Sequence, residues 1–223
     1  MKRILGAVLA FAFIAGSAGA ASKSKGEWNV PLLIGLTFPQ TKFDFDDLDD
    51  TLKQNAVGAE VGIMGINLAN GLTFKGSWQN SVVWSKTLND IYDESGIGYG
   101  MNLEGGLGWS PVHTERFLLS ALGMVGFGLS TYNKTAYYYD YYLIGYDIYR
   151  VKKSAKNTYF FYDIYLGFDV MAMFYITERF GLYGNLGYRV GTGGLSASEY
   201  GSHSSFSGSV SSFVPTVGFT IKM

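Results

Sequence analysis

Cysteine is absent from the 223 residues, which excludes disulfide staples, Cys-ligated zinc or iron–sulfur centres, thiol nucleophiles and a lipidated N-terminal Cys. Proline occurs only 4 times, and charged side chains make up 16%, well under the roughly 25% of an ordinary soluble domain. A uniformly apolar run is missing too. The longest charge-free stretches after the N-terminus are Phe117 to Asn133 and Tyr200 to Ile221; Gly123, Gly126 and Gly128 break the first and Ser fills the second. Neither is the continuous apolar stretch of roughly 18 residues that a membrane helix needs. An excess of positive charge is lacking as well. Without Lys2 and Arg3, 15 basic residues face 18 acidic ones, a charge of −3, so nothing electrostatic favours a nucleic-acid partner.

What is present begins with the N-terminus. Lys2-Arg3, the apolar run Ile4 to Ile14 and the small residues ending Ala18-Gly19-Ala20 have the three parts of a secretory signal peptide. The run is shorter than the roughly 20 residues of a spanning anchor. The expected organisation is a signal peptide over residues 1–20 and a single domain over residues 21–223. That domain is rich in glycine and aromatics, the whole chain holding 30 Gly, 17 Tyr, 16 Phe and 4 Trp.

Its dominant pattern is an alternation of period two, which puts successive side chains on opposite faces of a strand. Trp28, Val30, Leu32, Ile34, Leu36 and Phe38 form the first such run, and Val57 to Ile63, Leu72 to Trp84 and Ile97 to Trp109 the next three. Phe117 to Leu129 is a fifth, blurred because both faces are apolar or Gly. Phe160 to Val170, Phe180 to Val190 and a run ending at Val217, Phe219, Ile221 and Met223 complete eight. Glu60, Lys75, Glu104, Asp163, Asp169, Arg189 and Lys222 all fall opposite the aromatic and branched residues. A soluble sandwich would carry dense Lys and Glu on its outward faces. Here the polar face is mostly Gly, Ser and Asn, which suits a narrow lumen, and the apolar face then meets lipid. Strands in lipid must close on themselves to pair every backbone group.

Connection lengths agree. They alternate long (Pro39 to Ala56), short (Asn70-Gly71, read as a two-residue hairpin), long (Ser85 to Gly96), short (Ser110 to Arg116), long (Ser130 to Asn157), short (Tyr175 to Arg179) and long (Gly193 to Ser207). The predicted fold is all-β: an eight-stranded antiparallel up-and-down transmembrane barrel with short periplasmic turns, long external loops and both termini periplasmic. Thr114-Glu115-Arg116-Phe117 recurs as Thr177-Glu178-Arg179-Phe180, which reads as a repeated turn device.

The leader, the eight alternating strands and the C-terminal stretch resemble the small eight-stranded bacterial outer-membrane proteins of the OmpW, OmpX and OmpA-barrel families. The C-terminal assembly signal of those proteins matches Thr216, Gly218, Ile221 and, where an aromatic residue is usual, Met223. The resemblance implies outer-membrane location, lipid contact and recognition of the last strand by the barrel-assembly machinery. A resemblance to the OmpW family further implies a passive, porin-like conduit or binding site for small hydrophobic molecules. Pro31 and Pro215 lie in the first and last strands, which must close on each other. Either they mark a local bulge at that seam, or they weaken it for lateral passage of an apolar ligand.

Catalysis is not expected. His113 and His203 are the only histidines, neither has ligand-spaced partners, and a Gly/Ser-rich loop does not orient a Ser/His/Asp site. An outer-membrane enzyme is the minor alternative. No cofactor is implied, since no Gly pair forms a phosphate-cradling motif before a helix. The chief alternative to a conduit is an OmpX-like surface protein meeting an extracellular partner through the third external loop, with Tyr137, Tyr139, Tyr141, Tyr146, Lys152 and Lys153. Tyr supplies contact area at low rotamer cost. Acidic residues Asp44, Asp46, Asp47, Asp49 and Asp50 mark the first loop.

Two geometric expectations follow. A three-residue connection after Ile176 puts Asp169 opposite Gly187 and diagonal to Arg189, so Arg189 and the lumen carboxylates should form a plug. If Leu143 pairs with Tyr146 around Ile144-Gly145, Leu129 pairs with Phe160, and the third loop stands above the membrane as a long ribbon.

Overall fold

The computed structural model describes residues 28–46, 51–87, 96–144, 147–199 and 202–223. The expected signal peptide therefore lies outside the described residues, as do Asp47, Asp49, Asp50 and Tyr146. The strands are β1 (Trp28–Asn29), β2 (Pro31–Thr37), β3 (Gln40–Phe45), β4 (Thr51–Asn67), β5 (Leu72–Thr87), β6 (Gly96–His113), β7 (Phe117–Ile144), β8 (Asp147–Tyr175), β9 (Phe180–Glu199) and β10 (Ser202–Lys222). All pairings are antiparallel. β4 to β10 pair in chain order, and β10 returns to β2 and β3, which also pair with β4. Counting β1 to β3 as one interrupted strand, the described residues close a ring of 8 strands. Closure leaves no unpaired edge for lipid to meet.

The period-two pattern becomes two surfaces. Leu182, Leu186, Tyr188 and Val190 of β9 are exposed on the outside, while Tyr183, Asn185, Gly187 and Arg189 are buried inside. From Phe180 to Val190 the apolar band is about 25 Å tall, given 3.3 Å per residue and a strand tilt near 40°. Asn80, a polar side chain on this outer face, accepts a hydrogen bond from the Tyr99 hydroxyl.

At one end the connections are tight. Leu68 to Gly71 join β4 to β5, and this loop has four residues rather than the two expected, because Asn67 pairs with Leu72 in the register Ile66↔Thr73. The Gly71 N–H donates to the Asn67 carbonyl at 2.8 Å, with Gly71 at φ 75°, and the Asn67 side chain accepts from the Ala69 N–H at 2.9 Å. Any even loop length preserves the faces, so alternation alone could not separate two from four. The repeated turns are the same device in both places. Thr114 and Thr177 each donate N–H to the carbonyl of the Phe three residues on, at 3.0 Å, and each hydroxyl accepts that residue's N–H at 2.9 Å.

β6 runs beyond its expected end to His113. It absorbs a bulge between Trp109↔Ala121 and Val112↔Leu119, with Ser110 and Pro111 opposite Ser120. A residue without an N–H is tolerated at such a point.

At the other end the expected long loops are mostly strand. β3 and β4 pair to Asp44↔Thr51, β9 and β10 to Glu199↔Ser202, and β7 and β8 to Ile144↔Asp147. Once register is set within the barrel, Thr, Ser, Asn and Tyr continue the ladder without an apolar face to reveal it in sequence. The third ribbon's register differs by two residues from expectation: Leu129 pairs with Tyr162, not Phe160, and Leu143 with Ile148, not Tyr146. The shift keeps every face.

The seam also departs from the bulge reading. Thr216↔Thr37 and Phe213↔Gln40 share one register, so no residue is inserted on either side of Phe38-Pro39. Phe38 N–H donates to the Pro215 carbonyl and Met223 N–H to the Val30 carbonyl. Residues of one parity face each neighbour, so the missing donor of Pro31 faces β4 while only that of Pro215 faces the seam.

Candidate functional site in the barrel interior

Alternation delivers one charged side chain each from β4, β5, β6 and β9, and two from β8, to the same enclosed space. Lys75 Nζ lies 3.1 Å from Glu60 Oε1 and 3.2 Å from Asp169 Oδ2. Arg189 Nη1 lies 2.6 Å from Asp169 Oδ1, within ion-pair distance without hydrogen-bond alignment. Its Nε and Nη2 grip Glu104 with bonds of 3.1 and 2.7 Å. The chain Glu60–Lys75–Asp169–Arg189–Glu104 thus crosses the lumen. Tyr165 donates to Glu104 Oε1 at 3.0 Å and Asn185 Nδ2 to Asp169 Oδ2 at 3.1 Å. Burial at this depth is tolerated only because every charge in the chain has an opposite partner.

Register produces this geometry. Ile176 N–H donates to the Phe180 carbonyl, Asp169 pairs with Gly187, and Gly167 pairs with Arg189. Both glycines are space for the guanidinium: a Cβ at Gly167 would stand 2.3 Å from Arg189 Cδ, and one at Gly187 2.6 Å from Asp169 Oδ1.

Asp163 lies apart from that chain, between Gly128 and Gly193 of the flanking strands. No cation pairs with it among the described residues. With Glu104, Asn102, Gln54, Tyr165 and Arg189 it lines a cavity of about 50 Å³. The Gln54 Nε2 there is buried without a hydrogen-bond partner.

Two apolar layers bracket this polar one, and neither was anticipated. On the turn side Leu33, Met64, Ile66, Leu118, Leu122, Met171 and Met173 fill the lumen. On the ribbon side Phe43, Leu52, Tyr132, Phe161, Leu195 and Val210 pack together, with the Phe43 and Phe161 ring centroids 5.2 Å apart. The signal was the blurring of the fifth run, whose second apolar face is Leu118, Leu122 and Met124. Beside the seam, Asn29, Thr37, Thr216, Thr220 and the Tyr183 hydroxyl are buried without hydrogen-bond partners.

The remaining candidates are dispersed. His113 Nδ1–H donates to the Ser110 carbonyl at 2.8 Å, and His203 is exposed on β10 opposite Ser198. Among the described residues no group of three or more His, Asp or Glu is arranged to hold a metal ion. On the β7–β8 ribbon Tyr139 and Tyr141 are exposed, and the Arg150 guanidinium stacks 4.0 Å above the Tyr139 ring. Lys152 is exposed and Lys153 half-buried, whereas the Tyr137 side chain lies outside the described residues.

No family model matches the sequence, and no curated protein matches it. Solved structures do match the fold. AlkL, solved by solid-state NMR in DMPC bilayers, superposes with a TM-score of 0.54 at 9% identity over 92% of this chain and 94% of its own. A major outer membrane protein from Thermus thermophilus gives 0.51 at 13% over 85% and 99%. OprG from Pseudomonas aeruginosa gives 0.50 at 9% over 89% and 97%. The chain has the fold of the small eight-stranded outer-membrane β-barrels.

Proposed function

We propose that this barrel sits in the bacterial outer membrane, termini and short turns periplasmic, as a closed scaffold that presents the β7–β8 ribbon for surface interaction. The observation carrying this reading is the interior. A conduit for solutes needs a continuous path, and here a Met-rich layer, a crossing chain of ion pairs and an aromatic cap lie in series. Meanwhile β7 and β8 go on pairing beyond Asn133↔Thr158, from Lys134↔Asn157 through Ala136↔Ala155 to Ile144↔Asp147. Lipid contact and recognition of the last strand by the assembly machinery belong to the same reading, with Ile221 and Met223 exposed at the strand's end. No catalytic role is assigned.

The test compares cells displaying the intact barrel with cells displaying one shortened by joining Asn133 to Thr158 through a short turn. Loss of surface binding with unchanged folding supports the proposal; equal binding by both removes it. A second reading, a binding site for small hydrophobic solutes, draws on the cavity beneath the aromatic cap. Its expected signature is solute uptake into liposomes that survives removal of the ribbon.

A further inference from the structure

Register gives one face of the β7–β8 ribbon a distinct chemistry. The pairs Tyr141↔Arg150 and Tyr139↔Lys152 place Tyr139, Tyr141, Arg150 and Lys152 on one face. Among the described side chains that face holds Tyr139 and Tyr141 of β7 and Arg150, Lys152 and Ser154 of β8, with no acidic residue among them.

The same parity continues into the membrane. Tyr162, and below it Phe127 and Ile164, carry this face down as the barrel's lipid-facing wall. The Tyr and cation face therefore stands directly over the surrounding leaflet and not over the lumen. From Phe160 to Lys152 the strand rises about 20 Å at a tilt near 40°. Phospholipid headgroups do not reach that height, whereas the saccharide of a large glycolipid does.

We propose that this face docks phosphorylated saccharide headgroups of glycolipid in the same outer leaflet. Spaced cations meet phosphates as point charges or as a bidentate guanidinium. The tyrosines give sugar rings flat surfaces that also carry a hydroxyl. Arg150 is already oriented by its stacking on Tyr139. The inference deepens the surface-interaction reading and rests on it.

The test titrates the mature barrel in non-ionic micelles with lipopolysaccharide bearing a phosphorylated core, with lipid A alone, and with dextran sulfate. Wild type should bind the core-bearing glycolipid more tightly than lipid A. The double variant R150S/K152S should bind it roughly 30-fold more weakly, the loss expected for two cations at an anionic surface. K153S, on the opposite face, should match wild type. Equal weakening by K153S, or no preference for the core-bearing glycolipid, overturns the inference. Binding of dextran sulfate without the glycolipid also overturns it but leaves surface interaction standing. Binding of neither, with ribbon amides protected from exchange, overturns leaflet docking; surface interaction itself is judged by the shortened barrel.

Discussion

Arg189 is buried between carboxylates from two other strands, touching Glu104 and Asp169 at once. Removing it leaves both of them short of a cation, so R189A should lose about 3–5 kcal/mol in denaturant unfolding from micelles. The double change R189M/E104Q should cost less than the sum of its parts, because the cycle removes both ends of one interaction. G167V tests the space beside it. With Cβ 2.3 Å from Arg189 Cδ, overpacking should cost about 1–3 kcal/mol in the same assay. These charges were legible in sequence because each fell opposite an apolar strand face, and counting three residues after Ile176 was enough to bring Asp169 beside Arg189. Asp163 obeyed the same parity yet stands outside the ion-pair chain, since parity gives a face but not a depth. Met171 and Met173 were missed because an apolar lumen residue looks like a lipid-facing one until the register is known.

Among the elements, the turns and the ribbons differ in what sequence revealed. Gly71 at positive φ closes the β4–β5 loop, with Trp109 Nε1 donating to the Asn70 carbonyl at 2.9 Å. G71A should destabilise by about 1–2 kcal/mol, read as a lowered unfolding midpoint. The dipeptide Asn70-Gly71 announced a turn, but its length depended on the Asn67 side chain and on the pairing of strands that both accept any even loop. The β3–β4 ribbon is stapled where Thr51 donates to Asp44 Oδ1 at 2.6 Å and Lys42 Nζ to Asp44 Oδ2 at 2.8 Å. The Lys42 and Thr51 hydrogen bonds hold the Asp44 carboxyl below the ordinary carboxylate range. A depressed carboxylate stabilises above its unfolded value of about 3.9 and stops doing so as pH falls through the folded one. Amide exchange of residues 42–45 should therefore be flat from neutral pH to about 5 after correction for intrinsic rates, and accelerate only below about 4. The exposed pair should weaken with salt.

For the whole molecule, the barrel was legible because lipid imposes a strict alternation on every strand it touches, whereas the ribbons beyond it, except the third, were read as loops because water imposes none. The expected polar lumen was only a middle layer, and the apolar layers on both sides turn the interior from a candidate path into a series of barriers. The seam adds to closure. β10 pairs with β2 and β3 in one register, so the seam amides should exchange as slowly as those between β8 and β9, Phe38 included through its bond to the Pro215 carbonyl. The central claim is that the lumen is shut, and single-channel recording in planar bilayers tests it most directly. The account predicts that the intact barrel gives no steady conductance steps, and that R189A, which removes the cation holding Glu104 and Asp169 together, gives brief openings at most. Large, steady single-channel steps from the intact barrel would contradict it.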